Sequence, residues 1–313
     1  MTEFKIRSAT EDDYPAVLEM SEGHYEGHDD TPNNFKQWLQ RENMAVLTAT
    51  YGGKPIGLCA VCIVDEGQTF FSRGFRVHPL FRGKGFGTKF VLAVRQFVRN
   101  EYPNVLRERY TTGNTHQARL AIATKTGDKL LYEQDSYAFL VKQDKFQVSK
   151  LDLFESYLSL VYKYDVQKFK ETLLKKQEVF NQGIMLIDYN PYKATPSNVH
   201  LCIQQGDCLF TNVPQSEKLC SFSHGRKNPT AKFMQWVVSL FTKDIDLFQG
   251  HLLINLKVAC ENIQGDFIFR ISHDRDEHLK EKALELLHNT FELEIETLRF
   301  GSLRALLFEK ELN

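Results

Sequence analysis

Residues 75–88 contain the sequence pattern that most clearly indicates a ligand-binding site. An Arg-x-x-Gly-x-Gly motif, Arg82 to Gly87, directly follows an apolar strand and directly precedes an amphipathic helix. Glycines let a ligand approach the backbone closely, and the first turn of a helix presents unpaired N–H groups to an anion. The segment therefore predicts a cradle for a pyrophosphate group.

This segment has two other interpretations, a surface turn and a dinucleotide site. A short glycine motif also occurs in ordinary surface turns, so the match alone is weak. A dinucleotide site of the Rossmann type needs a parallel sheet and an acidic residue after the second strand. The strands before Arg82 are joined by turns such as Gly52-Gly53, so they are predicted to be antiparallel, and the dinucleotide interpretation is rejected.

Two further clusters contain reactive or metal-binding residue types. Cys59 and Cys62 are spaced as in a zinc or redox site, but residues three apart in a strand point to opposite faces. Both are therefore predicted to pack as ordinary strand residues. The loop around His24, His28 and Asp29 has no diagnostic ligand spacing, so we predict no metal there and favour a solvated or substrate-facing loop.

These residues need a scaffold, and the first 145 residues supply an alternating pattern. Turn signals, helix caps and apolar periodicity predict, in order, strand 4–8, a helix after Thr10, helix 35–40, antiparallel strands 44–51, 54–64 and 68–77, helix 85–100, strand 105–111, helix 116–125 and strand 129–142. The pattern indicates an α/β (α+β) fold in which helices flank a mixed, mostly antiparallel sheet.

A polar stretch at residues 144–150 marks a soft boundary, after which the alternation resumes. The second half is predicted to contain helix 151–176, strand 180–188, hairpin 199–211, helix 230–241, strand 252–259, helix 278–290 and strand 298–311. This order repeats the rhythm of the first half without its glycine motif. We therefore predict two domains, residues 1–145 and residues 151–313, the second a degenerate copy of the first.

Composition limits the class of partner. Lys and Arg (39) nearly balance Asp and Glu (40), so the chain lacks the positive surplus with which proteins bind nucleic acid. It has no apolar run of about 18 residues and no signal-peptide pattern, and its six scattered cysteines fit free thiols in a reducing compartment. The sequence thus predicts a cytoplasmic protein with no nucleic-acid or membrane partner.

The glycine segment resembles the acetyl-CoA signature of the GNAT N-acetyltransferases. The resemblance rests on Val77, Pro79, Arg82 and the glycines that follow, and on the order of elements before them, and it covers about residues 3–142. It implies that acetyl-CoA is the co-substrate. It also implies that the pantetheine arm pairs with backbone groups of Phe75, Arg76 and Val77, and that backbone N–H groups bind the pyrophosphate at Arg82, Gly83, Lys84, Gly85, Phe86, Gly87 and Thr88.

A narrower resemblance, to the vertebrate histidine N-acetyltransferases, extends over nearly the whole chain. It rests on short pieces in the same order, among them Tyr25-x-Gly27-x-Asp29, Gly74-x-Arg76-Val77 and Pro196-Ser197-Asn198. The sequence departs from that family at Cys59 and Arg73, where the family carries acidic residues. Because a cation at Arg73 would favour an acceptor with an extra anionic group, the predicted acceptor is a free amino acid or similar small amine rather than histidine specifically.

The resemblance also assigns catalytic roles. The backbone N–H of Val77 is expected to donate to the thioester carbonyl. Many GNAT enzymes place a tyrosine four residues before the glycine that ends the last helix of the motif, and Ala123 stands there in this chain. The proton donor is therefore expected elsewhere or from water, and Tyr110, His116 and Tyr132 are candidates by position.

Candidate substrate contacts come from two segments. Tyr25 and Asp29 fall on family-like positions in the loop expected to wall the acceptor site, and Arg73 lies on the strand expected to form its floor. Arg76 should point to the side opposite Val77, where it meets a substrate carboxylate or pairs with an acidic residue at the surface.

Three functions follow from these observations. The favoured one is acetyl-CoA-dependent N-acetylation of a free amino acid or similar small amine. A catalytically silent acyl-CoA sensor is supported by Ala123, and a peptide or protein N-acetyltransferase would use the C-terminal half to dock its target.

Overall fold

The computed structural model describes residues 3–23, 27–175, 178–212, 219–296 and 304–312. The chain forms two compact units. Unit 1 comprises Met1–Thr112, His116–Tyr132 and Leu307–Asn313, and unit 2 comprises Gly113–Thr115 and Glu133–Leu306. Each unit therefore takes up a segment from the other half of the sequence, and one cut near residues 145–151 does not separate them.

The helices and strands follow the chain in this order. Up to residue 141 they are β1 (Phe4–Ser8), α1 (Tyr14–Ser21), α2 (Thr31–Gln40), β2 (Met44–Tyr51), β3 (Lys54–Val64), β4 (Thr69–Val77), α3 (Phe86–Glu101), β5 (Arg107–Gly113), α4 (Gln117–Thr126) and β6 (Lys129–Val141). They continue as α5 (Glu155–Leu158), β7 (Tyr162–Lys163), α6 (Val166–Thr172), β8 (Ile184–Ile187), β9 (Asn190–Lys193), α7 (Pro196–Cys202), β10 (Cys208–Thr211), β11 (Phe222–Pro229), β12 (Met234–Phe241), α8 (Ile245–Asn262), β13 (Phe267–Asp274), α9 (Glu277–Leu284), β14 (Glu294–Ile295) and β15 (Arg304–Glu311).

The sheet of unit 1 has helices on both faces. Its strand order is β1-β2-β3-β4-β5, followed by the part of β15 that belongs to this unit, and β1 to β4 are antiparallel. On one face, Phe35 and Trp38 of α2 pack with residues of α1, β2 and β3. On the other face, Phe90 and Val94 of α3 pack against Phe70 of β4. These two layers of apolar side chains fix β4 between α2 and α3.

The sheet of unit 2 has the strand order β7-β10-β11-β12-β13-β6, with β14 also paired to β6. Helix α8 packs on one face through Leu252, Leu253 and Leu256. Strands β12 and β13 are parallel and stay paired from Met234↔Phe267 to Leu240↔His273. The predicted mixed, mostly antiparallel sheet flanked by helices is confirmed.

Several predicted elements of the second half are wrong. A helix is predicted for residues 230–241, but Met234–Phe241 form strand β12, and residues 252–259, predicted as a strand, lie inside helix α8. The long helix predicted for residues 151–176 is broken into α5 and α6, which flank β7. The hairpin predicted at 199–211 is also wrong, because its first residues belong to helix α7. Every residue of β12 except Met234 is buried, and none of residues 252–259 in α8 is exposed. Neither segment therefore shows the periodic exposure that distinguishes a strand from a helix.

Within the described ranges, none of the helices combines the length and the apolar character needed to cross a bilayer.

Candidate functional site

The glycine motif lies between strand β4 and helix α3, as the sequence predicts. A short 3-10 turn, Pro79–Phe81, leads into the loop. Gly83 and Gly85 have φ angles of +73° and +79°, and a Cβ on either would meet open space. Backbone conformation rather than packing therefore requires glycine here. Gly85 caps the helix without a side-chain hydrogen bond, which leaves the positive end of α3 available to an anion.

The remaining loop residues have different roles. Gly87 allows close packing, because a Cβ there would lie 3.1 Å from Cδ1 of Ile122 on α4. The Arg82 side chain folds back, and its Nε donates to the carbonyl oxygen of Val77 at 2.9 Å. Lys84 is exposed, with Nζ 5.8 Å from the centre of the Phe81 ring. Phe86 and Thr88 lie in the first turn of α3.

Strands β4 and β5 are parallel but pair only near their beginnings. Their register runs from Thr69↔Arg107 to Phe71↔Arg109, although β4 continues to Val77. The second half of β4 therefore has an edge that β5 leaves uncovered, and this edge ends at the glycine loop. An extended ligand can add to such an edge through backbone hydrogen bonds.

The N–H group of Val77 points towards this edge. The neighbouring His78 donates its N–H to Ile56 O of β3 at 2.8 Å, and Val77 pairs with Gly57 in the same register. Because successive residues of an antiparallel strand direct their N–H groups to opposite sides, that of Val77 points away from β3. It is thus oriented towards the gap between β4 and β5, where the predicted thioester carbonyl would lie.

A β-bulge at Gly74 changes which side chains share a face of β4. The register with β3 shifts so that Arg76 pairs with Leu58 and Arg73 pairs with Ala60. Leu58 and Ala60 both belong to the core beneath α1 and α2, so both arginines lie on that face. Without the bulge they would point to opposite faces, because side chains alternate along a strand.

Two residues predicted as substrate contacts bind each other. Nη2 of Arg76 donates to Oδ1 of Asp29 at 2.7 Å, and Nε donates to Oδ2 at 3.3 Å. Both side chains are more than 90% buried, and Arg76 also donates to Thr31 Oγ1. Burial alone would raise the pKa of Asp29, but the charge and hydrogen bonds of Arg76 outweigh it and the pKa is lowered. Arg76 thus pairs with an acidic residue, but the prediction that this residue lies at the surface is wrong, because Asp29 is buried.

Arg73 lies beside this pair. Its Nη2 donates to Oδ2 of Asp30 at 3.1 Å, and its guanidinium lies 4.8 Å from the centre of the Trp38 ring. The side chain of Arg73 is 21% exposed and that of Asp30 is 24% exposed. The positive charge of Arg73 is therefore partly compensated but accessible. Tyr25, the other predicted contact, lies outside the described residues.

His116 immediately precedes α4, and its Nδ1 lies 3.3 Å from Oγ1 of Thr112. Burial lowers the pKa of His116, and the positive charge of Arg76 lowers it further. The imidazole is therefore neutral at pH 7 and can accept a proton. Because the charge of Arg76 affects the pKa of His116, this predicted catalytic residue lies near a predicted substrate residue.

Tyr110 belongs to a buried charged network. Its hydroxyl donates to Oδ2 of Asp128 at 2.7 Å, and Arg95 donates to the same oxygen at 2.7 Å. Burial raises the pKa of Tyr110, and the lowering by nearby Arg119 does not offset it. These contacts weigh against Tyr110 as the proton donor, although its catalytic role stays a prediction. Tyr132 is buried.

Sequence reasoning overlooked Arg119, a residue of α4. Its guanidinium lies 3.5 Å from the centre of the Tyr110 ring on β5 and 5.9 Å from that of Phe75 on β4. It therefore spans the two strands where they have separated. The sequence signal for Arg119 was its position four residues before Ala123, because this spacing puts it on the helix face where many GNAT enzymes carry a tyrosine.

The two cysteines of β3 are packed as predicted. Cys59 lies in the core beneath α3, and Cys62 accepts a hydrogen bond from Asn43 Nδ2 at 3.2 Å. Burial raises the pKa of both thiols, that of Cys62 to about 12. Among the residues that the structure describes, no group of three or more His, Cys, Asp and Glu side chains is arranged to hold a metal ion.

Comparisons with known proteins agree with this geometry. Residues 5–124 match the acetyltransferase (GNAT) family, and residues 156–274 match the C-terminal domain of histidine N-acetyltransferase. The chain is 31% identical to the histidine N-acetyltransferase of Xenopus tropicalis over 84% of this chain and 83% of that protein. It is 28% identical to the histidine N-acetyltransferase of Scomber australasicus over 82% of this chain and 80% of that protein.

Solved structures share the fold at low sequence identity. A tandem GNAT protein from the clavulanic acid biosynthesis pathway matches with a TM-score of 0.57 and 10% identity, covering 100% of this chain and 99% of its own. A GCN5-related N-acetyltransferase from Sphaerobacter thermophilus matches with a TM-score of 0.58 and 11% identity, covering 99% and 96%. These similarities establish a GNAT fold with a second, C-terminal domain.

Proposed function

The chain belongs to the histidine N-acetyltransferase family of GNAT N-acetyltransferases, and from this premise we propose that it uses acetyl-CoA to acetylate the amine of a free amino acid or similar small molecule. The observation that carries the proposal is the separation of β4 from β5 directly beside the glycine loop. An extended thioester with a pyrophosphate at one end fits a strand edge that β5 leaves uncovered and that leads to a helix N-terminus without a side-chain cap.

In this proposal the pantetheine arm pairs with the backbone of Phe75, Arg76 and Val77, and the pyrophosphate meets the N–H groups at the start of α3. The N–H of Val77 donates to the thioester oxygen as negative charge develops there. A donor held in place by the sheet needs little reorganisation during the reaction, which is the condition for effective stabilisation.

The attacking amine must be neutral. The pKa of an α-amino group is about 8 to 10, so at pH 7 most of it is protonated, and a modest base can remove the proton. We assign this role to His116, because its lowered pKa keeps the imidazole neutral near pH 7. Holding the amine against the thioester would supply much of the remaining rate enhancement.

We place the acceptor on the α2 face of β4. The buried pair of Asp29 and Arg76 is a fixed wall there, since both groups are committed to each other. Arg73 is the accessible cation, and it could recognise a carboxylate or another anionic group of the acceptor. A free amino acid supplies both a carboxylate and an amine, which is why we favour it over a simple alkylamine.

The test is release of CoA thiol from acetyl-CoA with each of the twenty amino acids, taurine and small polyamines offered singly. A panel of short peptides serves as the comparison, and a reaction without amine gives the background hydrolysis. We expect turnover with one or a few free amino acids. Turnover with peptides alone would replace the small-molecule acceptor by a protein one, and thiol release that never exceeds the background would contradict the proposal.

Arg73→Gln separates acceptor binding from the rest of the reaction. The variant keeps a polar side chain beside Asp30 and removes the cation. We expect the KM for the preferred amino acid to rise at least tenfold while the KM for acetyl-CoA stays unchanged. Lys36→Gln is the matched control, because it removes an exposed charge from the neighbouring helix α2.

A further inference from the structure

Arg119 is a buried cation with an incomplete set of partners. Its side chain is 13% exposed, and its Nη2 lies 3.9 Å from Oε1 of Glu108, beyond hydrogen-bond distance. Among the described residues, no atom accepts a hydrogen bond from its buried Nη1. Leaving a buried charged donor unsatisfied is unfavourable, so Arg119 has hydrogen-bonding capacity that the described protein groups do not use.

The neighbouring carboxylates are already committed to other groups. Oε2 of Glu108 accepts from Arg95 at 2.6 Å, and Oε1 accepts from Ser72 at 2.8 Å. Asp128 is bound by Arg95 and Tyr110. The charge of Arg119 is thus the least compensated in this network.

The position of Arg119 points to the reacting end of the thioester. Its guanidinium lies between Phe75 and Tyr110, in the gap that opens when β4 and β5 separate. The same edge of β4 carries the N–H of Val77. The position four residues further along α4 is Ala123, which is buried and cannot donate a proton.

Resting on the function proposed above, we propose that Arg119 binds the sulfur of CoA and stabilises the thiolate that leaves during acetyl transfer. The amine nitrogen forms a bond to the acetyl carbon and the C–S bond breaks, so that its electron pair remains on sulfur. The first proton of the acceptor's ammonium has by then passed through His116 to the solvent, and the second, which the nitrogen loses once the N–C bond has formed, goes to His116. The thiolate leaves as an ion pair with the guanidinium. The thiolate takes its proton from water after release, so no proton donor is needed on α4.

The test measures binding of CoA as well as turnover. A free thiol has a pKa of about 8.5, and a cation at the sulfur lowers it in the complex. If the bound thiol ionises near pH 7, CoA should bind the native enzyme about tenfold more tightly relative to acetyl-CoA at pH 8.5 than at pH 6.5. Titration calorimetry at both pH values, together with thiolate absorbance in the ultraviolet, gives this ratio without turnover.

Arg119→Met should abolish the pH dependence of the CoA to acetyl-CoA ratio and lower kcat about 100-fold, with little change in the KM for acetyl-CoA. Arg119→Lys retains a cation and should keep part of both effects. Lys125→Met, which removes an exposed charge from the same helix, is the matched control and should behave as the native enzyme. If Arg119→Met does not fold by circular dichroism, Arg119→Gln replaces it.

The possible results distinguish a failure of this proposal from a failure of the proposed function on which it rests. A ratio that is independent of pH in the native enzyme, or that rises equally in Arg119→Met or Arg119→Gln, would overturn the role of Arg119 even if the enzyme turns over. If neither CoA nor acetyl-CoA binds the native enzyme at any pH, the proposed function itself fails.

Discussion

Replacing Gly74 by alanine tests whether packing against Trp38 holds the bulge of β4 in place beside the proposed acceptor site. Gly74 has a φ angle of +60°, and a Cβ there would lie 2.8 Å and 3.0 Å from two ring carbons of Trp38. Trp38 is fully buried in the core beneath α2, and the guanidinium of Arg73 lies over its ring. The ring therefore cannot move aside without disturbing either the core or Arg73.

The expected cost has two parts. An alanine held at positive φ costs about 1–2 kcal/mol, and forcing an extra methyl group into a filled core costs about 1–3 kcal/mol. Gly74→Ala should thus lower the free energy of unfolding by about 2–5 kcal/mol. Gly53→Ala is the matched control, because Gly53 has a φ of +79° but a Cβ there would meet nothing within 4 Å. It should lose only the conformational part, about 1–2 kcal/mol.

Urea denaturation followed by tryptophan fluorescence compares the two variants. Gly74→Ala should also raise the KM for the acceptor, because Arg73 and Arg76 flank the bulge, whereas Gly53→Ala should not. Equal stability losses in the two variants would refute the reasoning. Such a result would mean that the Trp38 ring yields freely and that packing does not hold the bulge in place.

Three further predictions follow from the buried charges. Asp29→Asn leaves the guanidinium of Arg76 buried without its carboxylate and should cost about 3–5 kcal/mol in urea denaturation, part of which Asp29→Asn combined with Arg76→Met should restore. Burial lowers the pKa of His251 to about 3, so the unfolded chain takes up the proton first as the pH falls below about 6.5. The free energy of unfolding should then drop by about 1.4 kcal/mol per pH unit from this residue, and His251→Gln should reduce that slope. The pKa of His116 is lowered, so kcat should fall only at a pH below the ordinary histidine value of about 6.5. His116→Ala should lose this acid-side decrease and about 100-fold in kcat, whereas an unaltered pH profile would exclude His116 as the base.

The parts of the site that depend on neighbouring residues could be predicted from the sequence. The glycine loop is local: Gly83 and Gly85 satisfy positive φ angles, and the helix that follows begins at the next residue. The packing of Cys59 and Cys62 follows from strand alternation alone. Such features need no information from distant parts of the chain, because the backbone conformation and the periodicity already contain them.

The acceptor side could not be predicted in the same way. Arg76 and Asp29 are 47 residues apart, and nothing in the sequence says that the two substrate candidates bind each other. The bulge at Gly74 puts Arg73 and Arg76 on one face of β4, whereas regular strand alternation would put them on opposite faces. Arg119 was overlooked because its position between two rings depends on the separation of β4 from β5, which is a property of the folded sheet.

The two units differ in the features on which the proposed acetyl-CoA site depends. In unit 2 the parallel strands β12 and β13 stay paired to Leu240↔His273, so β12 keeps no uncovered edge comparable to that of β4. Helix α8 is then capped by Asp244, whose Oδ1 accepts hydrogen bonds from the N–H groups of Asp246 and Leu247. A carboxylate thus already occupies the helix N-terminus, and it would repel a pyrophosphate electrostatically. The missing glycine motif and the closed strand pair have the same consequence: the described part of unit 2 lacks the features on which the proposed acetyl-CoA site depends.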